Sequence, residues 1–264
     1  MEFDDFVSTP EASSPHYLII GDPVSHSLSP VMHRQALRSL DLPGDYHAVR
    51  LPADRLDAFR EWLDNPAFRG ASVTVPHKVA LTRLVDAVDP EVSSCGALNT
   101  LYRKEGLWRG ANTDILGILR ALEPWKERLA GKGAVIFGTG GASRGAVHAL
   151  RSMGLDPVAV VSRDPSRVDP GPALCRSYAD WPNLGAPIGL LVNATPLGMT
   201  PNVHGCAVAP EQAHHMRGAI CFDMVYRPLR TKFLRLAEES GGVPVSGLRM
   251  LTGQAAGAFD LWTG

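Results

Sequence analysis

Neither sign of charge is in excess in this sequence: 26 Lys and Arg stand against 27 Asp and Glu, a formal net charge of -1 over 264 residues. A chain that neutralises nucleic-acid phosphates needs clustered Lys and Arg, so the balance argues against a nucleic-acid partner. Cysteine is sparse and scattered. Cys95, Cys175, Cys206 and Cys221 form no CxxC pair, which argues against a disulfide framework or a zinc site and predicts reduced thiols and no metal centre. No stretch approaches the roughly 18 to 20 unbroken apolar residues of a membrane helix. The opening residues MEFDDFVSTPEASSPH lack the basic and apolar regions of a signal peptide, so a cytoplasmic location without membrane partners is expected.

What is present is a globular balance, 45% hydrophobic and 20% charged, which excludes global disorder. At a soft prior of roughly 150 residues per domain, the chain is one large domain or two small ones. Residues 1 to 15 read as a loose arm. Short apolar runs at 16–20, 46–51, 70–75, 133–137, 157–161, 188–193 and 219–224 read as buried strands, and 97–102 with 107–110 as a hairpin. Helical patterns follow at 29–40, 53–63, 78–88, 113–122, after the glycine loop, near 209–216 and 229–239, and at 248–262. Alternating strand and helix predicts an α/β fold. Ser29 before Pro30 reads as a helix N-cap.

Strand, glycine-rich turn and helix is the recipe for holding a pyrophosphate, because glycines allow close approach and the helix N-terminus offers unpaired N–H groups. Gly138 and Gly140 supply the first two glycines of GxGxxG, Gly141 adds freedom, and Ser143 stands at the third position. A tight turn without a ligand is the simpler reading. Beyond the next strand the chain reads Ser162-Arg163-Asp164-Pro165-Ser166-Arg167. Arginine there suits a 2′-phosphate, whereas Asp164 suits a ribose, and two solvated arginines need neither. A rival reading takes Gly141, Ser143 and Gly145 as the GxSxG elbow of an α/β-hydrolase, but Ser143 then falls inside the helix.

Three polar sets in the N-terminal part are poor core material. Ser27 and Ser29 lie at a helix entrance, where hydroxyls suit a carboxylate. Thr74 and Lys78 flank Pro76. Asn99, Asn112 and Asp114 are accompanied by Thr100 and Thr113. Each set has a plainer reading: a cap, a surface lysine in a first helical turn, a helix start.

In order along the chain, GDPVSHSLSP (21–30), GASVTVPHK (70–78), GALNTL (96–101), NTD (112–114), GTGGAS (138–143), VNATPLGM (192–199), DMVYRP (223–228) and GQAAGAFDLWTG (253–264) together resemble the shikimate dehydrogenase family. The resemblance implies two α/β domains with a cleft between them. The substrate-binding, catalytic domain would comprise 1–113 and 247–264, and a Rossmann-like dinucleotide-binding domain 114–246. It implies NADPH-dependent reduction of 3-dehydroshikimate to shikimate, with Lys78 and Asp114 as the catalytic pair. Ser27 and Ser29 would hold the substrate carboxylate, and Thr74, Asn99, Tyr226 and Gln254 would make further substrate contacts. The NADP(H) site would comprise Gly138, Thr139, Gly140, Gly141, Ala142, Ser162, Arg163, Arg167, Thr195, Met224 and Gly247. Ser72, His77 and Asp164 stand where members often have Asn, Phe and Thr. The alternatives are a quinate/shikimate dehydrogenase using NAD and a non-catalytic dinucleotide sensor. The chain is expected as a monomer or homodimer.

Overall fold

The computed structural model describes all residues, Met1–Gly264, and its chain divides into two compact units: Met1–Thr113 with Ala255–Gly264, and Asp114–Gln254. No helix is long and apolar enough to cross a membrane.

The first unit runs α1 (Phe3–Phe6), β1 (His16–Gly21), α2 (Ser29–Ser39), β2 (Asp45–Arg50), α3 (Leu56–Trp62), β3 (Phe68–Val73), β4 (Ala87–Val88), α4 (Pro90–Cys95), β5 (Thr100–Lys104) and β6 (Leu107–Ala111). Its sheet has the order β2-β1-β3-β5-β6-β4. Strands β1, β2 and β3 are parallel, and β5 pairs antiparallel with both β3 and β6. Alternation along β1 splits the core: Leu18 and Ile20 join Phe59, Phe68 and Trp108 on one face, while Tyr17 and Ile19 join Leu37 and Tyr46 on the other.

The second unit follows with α5 (Thr113–Leu122), α6 (Lys126–Leu129), β7 (Gly133–Phe137), α7 (Gly141–Ser152), β8 (Val158–Ser162), β9 (Leu174–Ser177), β10 (Ile188–Asn193), β11 (Ile220–Asp223), α8 (Lys232–Glu239), β12 (Val243–Val245) and α9 (Leu248–Thr263). Its sheet is wholly parallel, in the order β12-β11-β10-β7-β8-β9. Read in chain order this is 3-2-1-4-5-6, the doubly wound arrangement whose ligands lie where the order reverses, between β7 and β10. Both faces are covered. Ala134, Ile136, Leu190 and Val192 enter one core, and Val135, Phe137 and Leu191 the other. Burial on both faces explains the unbroken apolar runs of these strands.

Several sequence expectations are corrected. Residues 1 to 15 are not a loose arm: Phe3 packs edge-on to Phe59 and Trp62, Phe6 on His16 and Trp62, and Arg50 N–H donates to the Met1 carbonyl at 2.8 Å. The helix expected over 78–88 shrinks to one 3-10 turn at Ala80–Arg83, followed by β4. Three tertiary bonds override it: the Lys78 carbonyl accepts from Leu98 N–H, Asp86 N–H donates to the Trp108 carbonyl, and Trp108 N–H donates to the Asp86 carboxylate. Ser29 is not the N-cap of α2 but its first residue, after Leu28. Strands β9 and β12 and helix α4 were not anticipated. The chain leaves the second unit within α9, after Gln254, later than the expected boundary at 246/247. Gly253 explains the delay, since its α-carbon side faces Gly117 and Arg120, and Arg120 donates to the Gly253 carbonyl at 3.4 Å.

Candidate active site

In the first unit, the loops after β1 and β3 converge at the carboxyl ends of two adjacent parallel strands. Gly21 makes this possible: a Cβ there would stand 2.4 Å from Thr74 Cγ2 and 2.8 Å from the Val75 carbonyl oxygen. Asp22 N–H donates to that carbonyl at 2.8 Å, and Thr74 N–H donates to Ile20 at 2.9 Å. The Asp22 carboxylate takes two bonds from Arg50, at 2.7 and 3.0 Å, and this guanidinium holds its pKa below the usual carboxylate range. The peptides before Pro23 and Pro76 are cis.

The two serines separate in role. Ser27 Oγ accepts the Ser29 N–H at 3.2 Å, so Ser27 is the residue that ties the helix entrance. Ser29 is buried, and the nearby buried Tyr46 hydroxyl donates to Ser72 Oγ at 2.8 Å. Burial of this phenol pushes its pKa well above the usual value. Ser72, where the family often has Asn, is thus the acceptor of a buried tyrosine.

Lys78 is half-buried and its backbone is pinned on both sides. His77 N–H donates to Thr74 at 3.0 Å, and the Lys78 carbonyl accepts from Leu98 at 2.8 Å. The buried His77 ring places Nε2 at 2.6 Å from the Leu51 carbonyl. A carbonyl can only accept, so Nε2 carries the proton. This bond joins the lysine segment to the end of β2.

Asn99 is a hub. Its Oδ1 accepts the Thr113 N–H at 2.7 Å and the hydroxyls of Thr113 and Thr100 at 3.1 and 3.0 Å. Asn99, and not Asn112, therefore receives the first N–H of α5, and Asn112 instead donates to the Ala97 carbonyl at 2.8 Å. Asp114 follows at once, buried, in the first turn of α5.

In the second unit, β7 ends at Phe137 and the chain turns through Gly138 with φ +112°, a conformation that favours glycine. A Cβ at Gly138 would meet Thr195 Cγ2 at 3.1 Å, so the loops after β7 and β10 touch at the reversal point. Gly140 precedes α7 without any side-chain cap, no acidic residue occupies the first turn, and a Cβ on Gly140 would meet nothing within 4 Å. An uncapped helix start with open space before it fits a pyrophosphate. Gly141, Ala142 and the exposed Thr139 complete this turn.

Ser143 closes the hydrolase reading. It lies within α7, is 1% exposed, and donates its hydroxyl to the Gly138 carbonyl at 2.7 Å. A nucleophile must stand free at the turn.

After β8, Asp164 serves its own loop. Its Oδ1 accepts from Ser166 N–H and Oγ at 3.3 and 2.6 Å, and its Oδ2 pairs with Arg167 Nε at 3.1 Å. Ser162 Oγ accepts the Asp164 N–H at 3.1 Å. The Asp164 carboxylate is thus engaged locally, and Arg163 is exposed beside it. These groups fit the 2′-phosphate of an NADP.

The strand ends hide a network that sequence reasoning missed. Asn193 Oδ1 accepts from Thr195 N–H and Oγ1 at 3.1 and 2.6 Å, while its Nδ2 donates to Asp223 Oδ1 at 2.9 Å. Asp223 also accepts from Val225 N–H at 2.9 Å and Thr231 Oγ1 at 2.5 Å. Burial raises its pKa to about 6 against these three donors. A lone Asn and a lone Asp ending the apolar runs LLVN and ICFD were the available signal. Met224 N–H donates to the Asn193 carbonyl at 3.0 Å, and a Cβ on Gly247 would stand 2.5 Å from the Met224 oxygen, so Thr195, Met224 and Gly247 share one neighbourhood. Tyr226 is half-buried in the following loop. Gln254 is buried on α9, with Nε2 donating to the Leu251 carbonyl at 3.1 Å.

Comparison with known proteins adds to this geometry. Residues 19–101 match the family described as shikimate dehydrogenase substrate binding domain. The shikimate dehydrogenase (NADP(+)) of Moorella thermoacetica is 38% identical over 96% of this chain and 90% of that protein. Its namesake from Methanothermobacter thermautotrophicus is 35% identical over 93% of this chain and 90% of that protein. Among solved structures, shikimate 5-dehydrogenase of Thermus thermophilus in complex with NADP(H) and shikimate has a TM-score of 0.82 at 37% identity, covering 95% of this chain and 94% of that one. A chorismate mutase/shikimate 5-dehydrogenase fusion from Clostridium acetobutylicum reaches 0.86 at 28% identity, covering 95% of this chain and 91% of that one.

Proposed function

This chain belongs to the shikimate dehydrogenase family, and from that premise we propose that it reduces 3-dehydroshikimate to shikimate with NADPH, reversibly, in the cytoplasm, in the biosynthesis of chorismate and the aromatic amino acids. The observation that carries the reading is the full-length match to NADP-dependent shikimate dehydrogenases, 96% of this chain against 90% of that protein. The uncapped turn before α7 and the exposed Arg163 beyond β8 support the cofactor half of the reading.

The nicotinamide, when bound, supplies the hydride. The chain's own groups do the rest. Lys78 gives a proton to the carbonyl oxygen as it becomes a hydroxyl, and takes it back in the reverse direction. Asp114 orients the lysine and bonds a substrate hydroxyl. Ser27 and Ser29 hold the carboxylate, with Thr74, Asn99, Tyr226 and Gln254 placing the ring hydroxyls. The second unit takes the cofactor through Gly138 to Ala142, Ser162, Arg163, Arg167, Thr195, Met224 and Gly247.

The test is the fall in NADPH absorbance on adding 3-dehydroshikimate. Turnover is expected in the parent, and Lys78→Ala should lower kcat by about a hundredfold or more, the scale of a lost proton-transfer group. A folded parent without turnover overturns the reaction. A folded Lys78→Ala with parental kcat overturns the role of the lysine.

A further inference from the structure

Strands β7, β10 and β11 lie side by side in the second sheet. The apolar runs of β10 and β11 end in polar residues, Asn193 and Asp223, which stand opposite each other in register. Both are 0% exposed. A buried carboxylate opposes folding unless donors offset it, and well-packed apolar residues often serve stability as well. A carboxylate kept at this position is therefore better explained by what it holds in place.

The ionised Asp223 side chain can only accept, and it takes three donors. Its Oδ1 accepts from Asn193 Nδ2 and from Val225 N–H, both at 2.9 Å. Its Oδ2 accepts the Thr231 hydroxyl, whose oxygen caps α8 by accepting Leu234 N–H at 3.2 Å. An asparagine side chain has a donor end and an acceptor end, and Asp223 decides which way the Asn193 amide turns. With Nδ2 facing Asp223 and the Leu197 carbonyl, the latter at 3.1 Å, Oδ1 is left for Thr195. It accepts the Thr195 N–H at 3.1 Å and hydroxyl at 2.6 Å. Thr195 Oγ1 in turn accepts Leu197 N–H at 3.2 Å. The hydroxyl is thus engaged as donor and as acceptor, and the methyl is left against the glycine turn, where Cγ2 would stand 3.1 Å from a Cβ on Gly138.

We infer that Asp223 is a positioning residue for the dinucleotide: by orienting the Asn193 amide it holds Thr195 against Gly138, and so shapes the glycine turn that takes the pyrophosphate. Asp223 acts through Asn193 and Thr195, not by contact with the cofactor. This role rests on the proposed assignment of Gly138 and Thr195 to the cofactor site.

The experiment measures KM for NADPH and for 3-dehydroshikimate, kcat and melting temperature in the parent and in single variants. Asp223→Ala removes the acceptor and should raise KM for NADPH about fivefold to tenfold, the scale of one lost hydrogen bond, with KM for 3-dehydroshikimate near the parental value. Asn193→Ser covers the case in which Asp223→Ala fails to fold. Its hydroxyl still offers Asp223 a donor, but the shorter side chain cannot also reach Thr195, and the same rise in KM for NADPH is expected. Asp223→Asn keeps an acceptor for Asn193 and should show the parental KM. A lowered melting temperature with parental KM for NADPH in folded Asp223→Ala or Asn193→Ser overturns the inference, because the network would then only stabilise the sheet. A rise as large in Asp223→Asn also overturns it, because the orientation of the Asn193 amide would not be what matters. Gly138→Ala, at a backbone φ of +112°, tests the cofactor assignment by itself. A raised KM there with parental KM in the other variants sinks the role of Asp223 and leaves the assignment standing, whereas a parental KM in all of them removes both.

Discussion

Ser27 is assigned two jobs through one oxygen, a shown helix-entrance bond and a proposed carboxylate contact, and this decides how its role can be tested. Its Oγ accepts the Ser29 N–H at 3.2 Å, so Ser27→Ala loses a helix-entrance bond worth about 1 kcal/mol whether or not a carboxylate binds there. Ser27→Asp separates the two. Aspartate keeps an acceptor for the Ser29 N–H and suits the α2 dipole, while its charge repels a substrate carboxylate. The melting temperature should hold or rise while KM for shikimate climbs more than tenfold, about 1.4 kcal/mol or more. Unchanged KM in Ser27→Asp would move the carboxylate elsewhere. The sequence had this residue as a candidate but took the cap to be Ser29. Spacing to Pro30 locates a helix start only within a residue or two, and which hydroxyl faces the first N–H depends on loop geometry. Asn99 shows the same limit. Its place in GALNTL was readable, but the two bonds it accepts from Thr113 arise only when residues 99 and 113 are brought together by the β5–β6 hairpin.

In the proposed site, the loop after β8 is the element assigned to choose the cofactor. Asp164 spends both oxygens on Ser166 and Arg167, so it is a brace for the turn, with Arg163 as the exposed charge beside it. Arg163→Ala should therefore raise KM for NADPH far more than KM for NADH, as measured in paired kinetics with both cofactors. An equal response of the two would remove the phosphate contact from Arg163. Elements of this second unit were legible wherever local pattern and tertiary demand agree: β7, β8, β10 and β11 are apolar because both faces are covered, and the glycine turn between β7 and α7 carries its own chemistry. Elements failed to show where long-range pairing made them. Two-residue β4 exists because β6 lies beside it, β12 because β11 does, and α1 because Phe3 and Phe6 find an aromatic pocket built by α3 and β1. None of those segments carries a period long enough to read.

At the scale of the whole molecule, buried ionisable groups in the two units pull stability in opposite directions between pH 4 and pH 6. In the first unit His33 is stacked on Tyr46 at 4.6 Å and burial lowers its pKa to about 4. The folded state then binds fewer protons than the unfolded one, so stability is lost as pH falls from 6.5 toward 4. His16 and His47 shift the same way, chiefly through burial, and Asp22, lowered by Arg50, also gives up stability on acidification. In the second unit Asp223 does the reverse. Its pKa rises from 3.8 to about 6, so the folded state binds the extra proton, and stability declines as pH rises through that window. A shift of this size corresponds to roughly 3 kcal/mol at most. Asp223→Asn removes the titration while leaving acceptors for Asn193 and Val225 and a donor for Thr231. Relative to the parent, its melting temperature should therefore improve steadily from pH 4 to pH 6 and then level off. The subtraction cancels the histidines and Asp22, which are common to both proteins. Calorimetry at half-unit steps of pH checks the sign: a difference that is flat across the window, or that falls with pH, would mean that the three donors around Asp223 outweigh its burial and keep it ionised throughout.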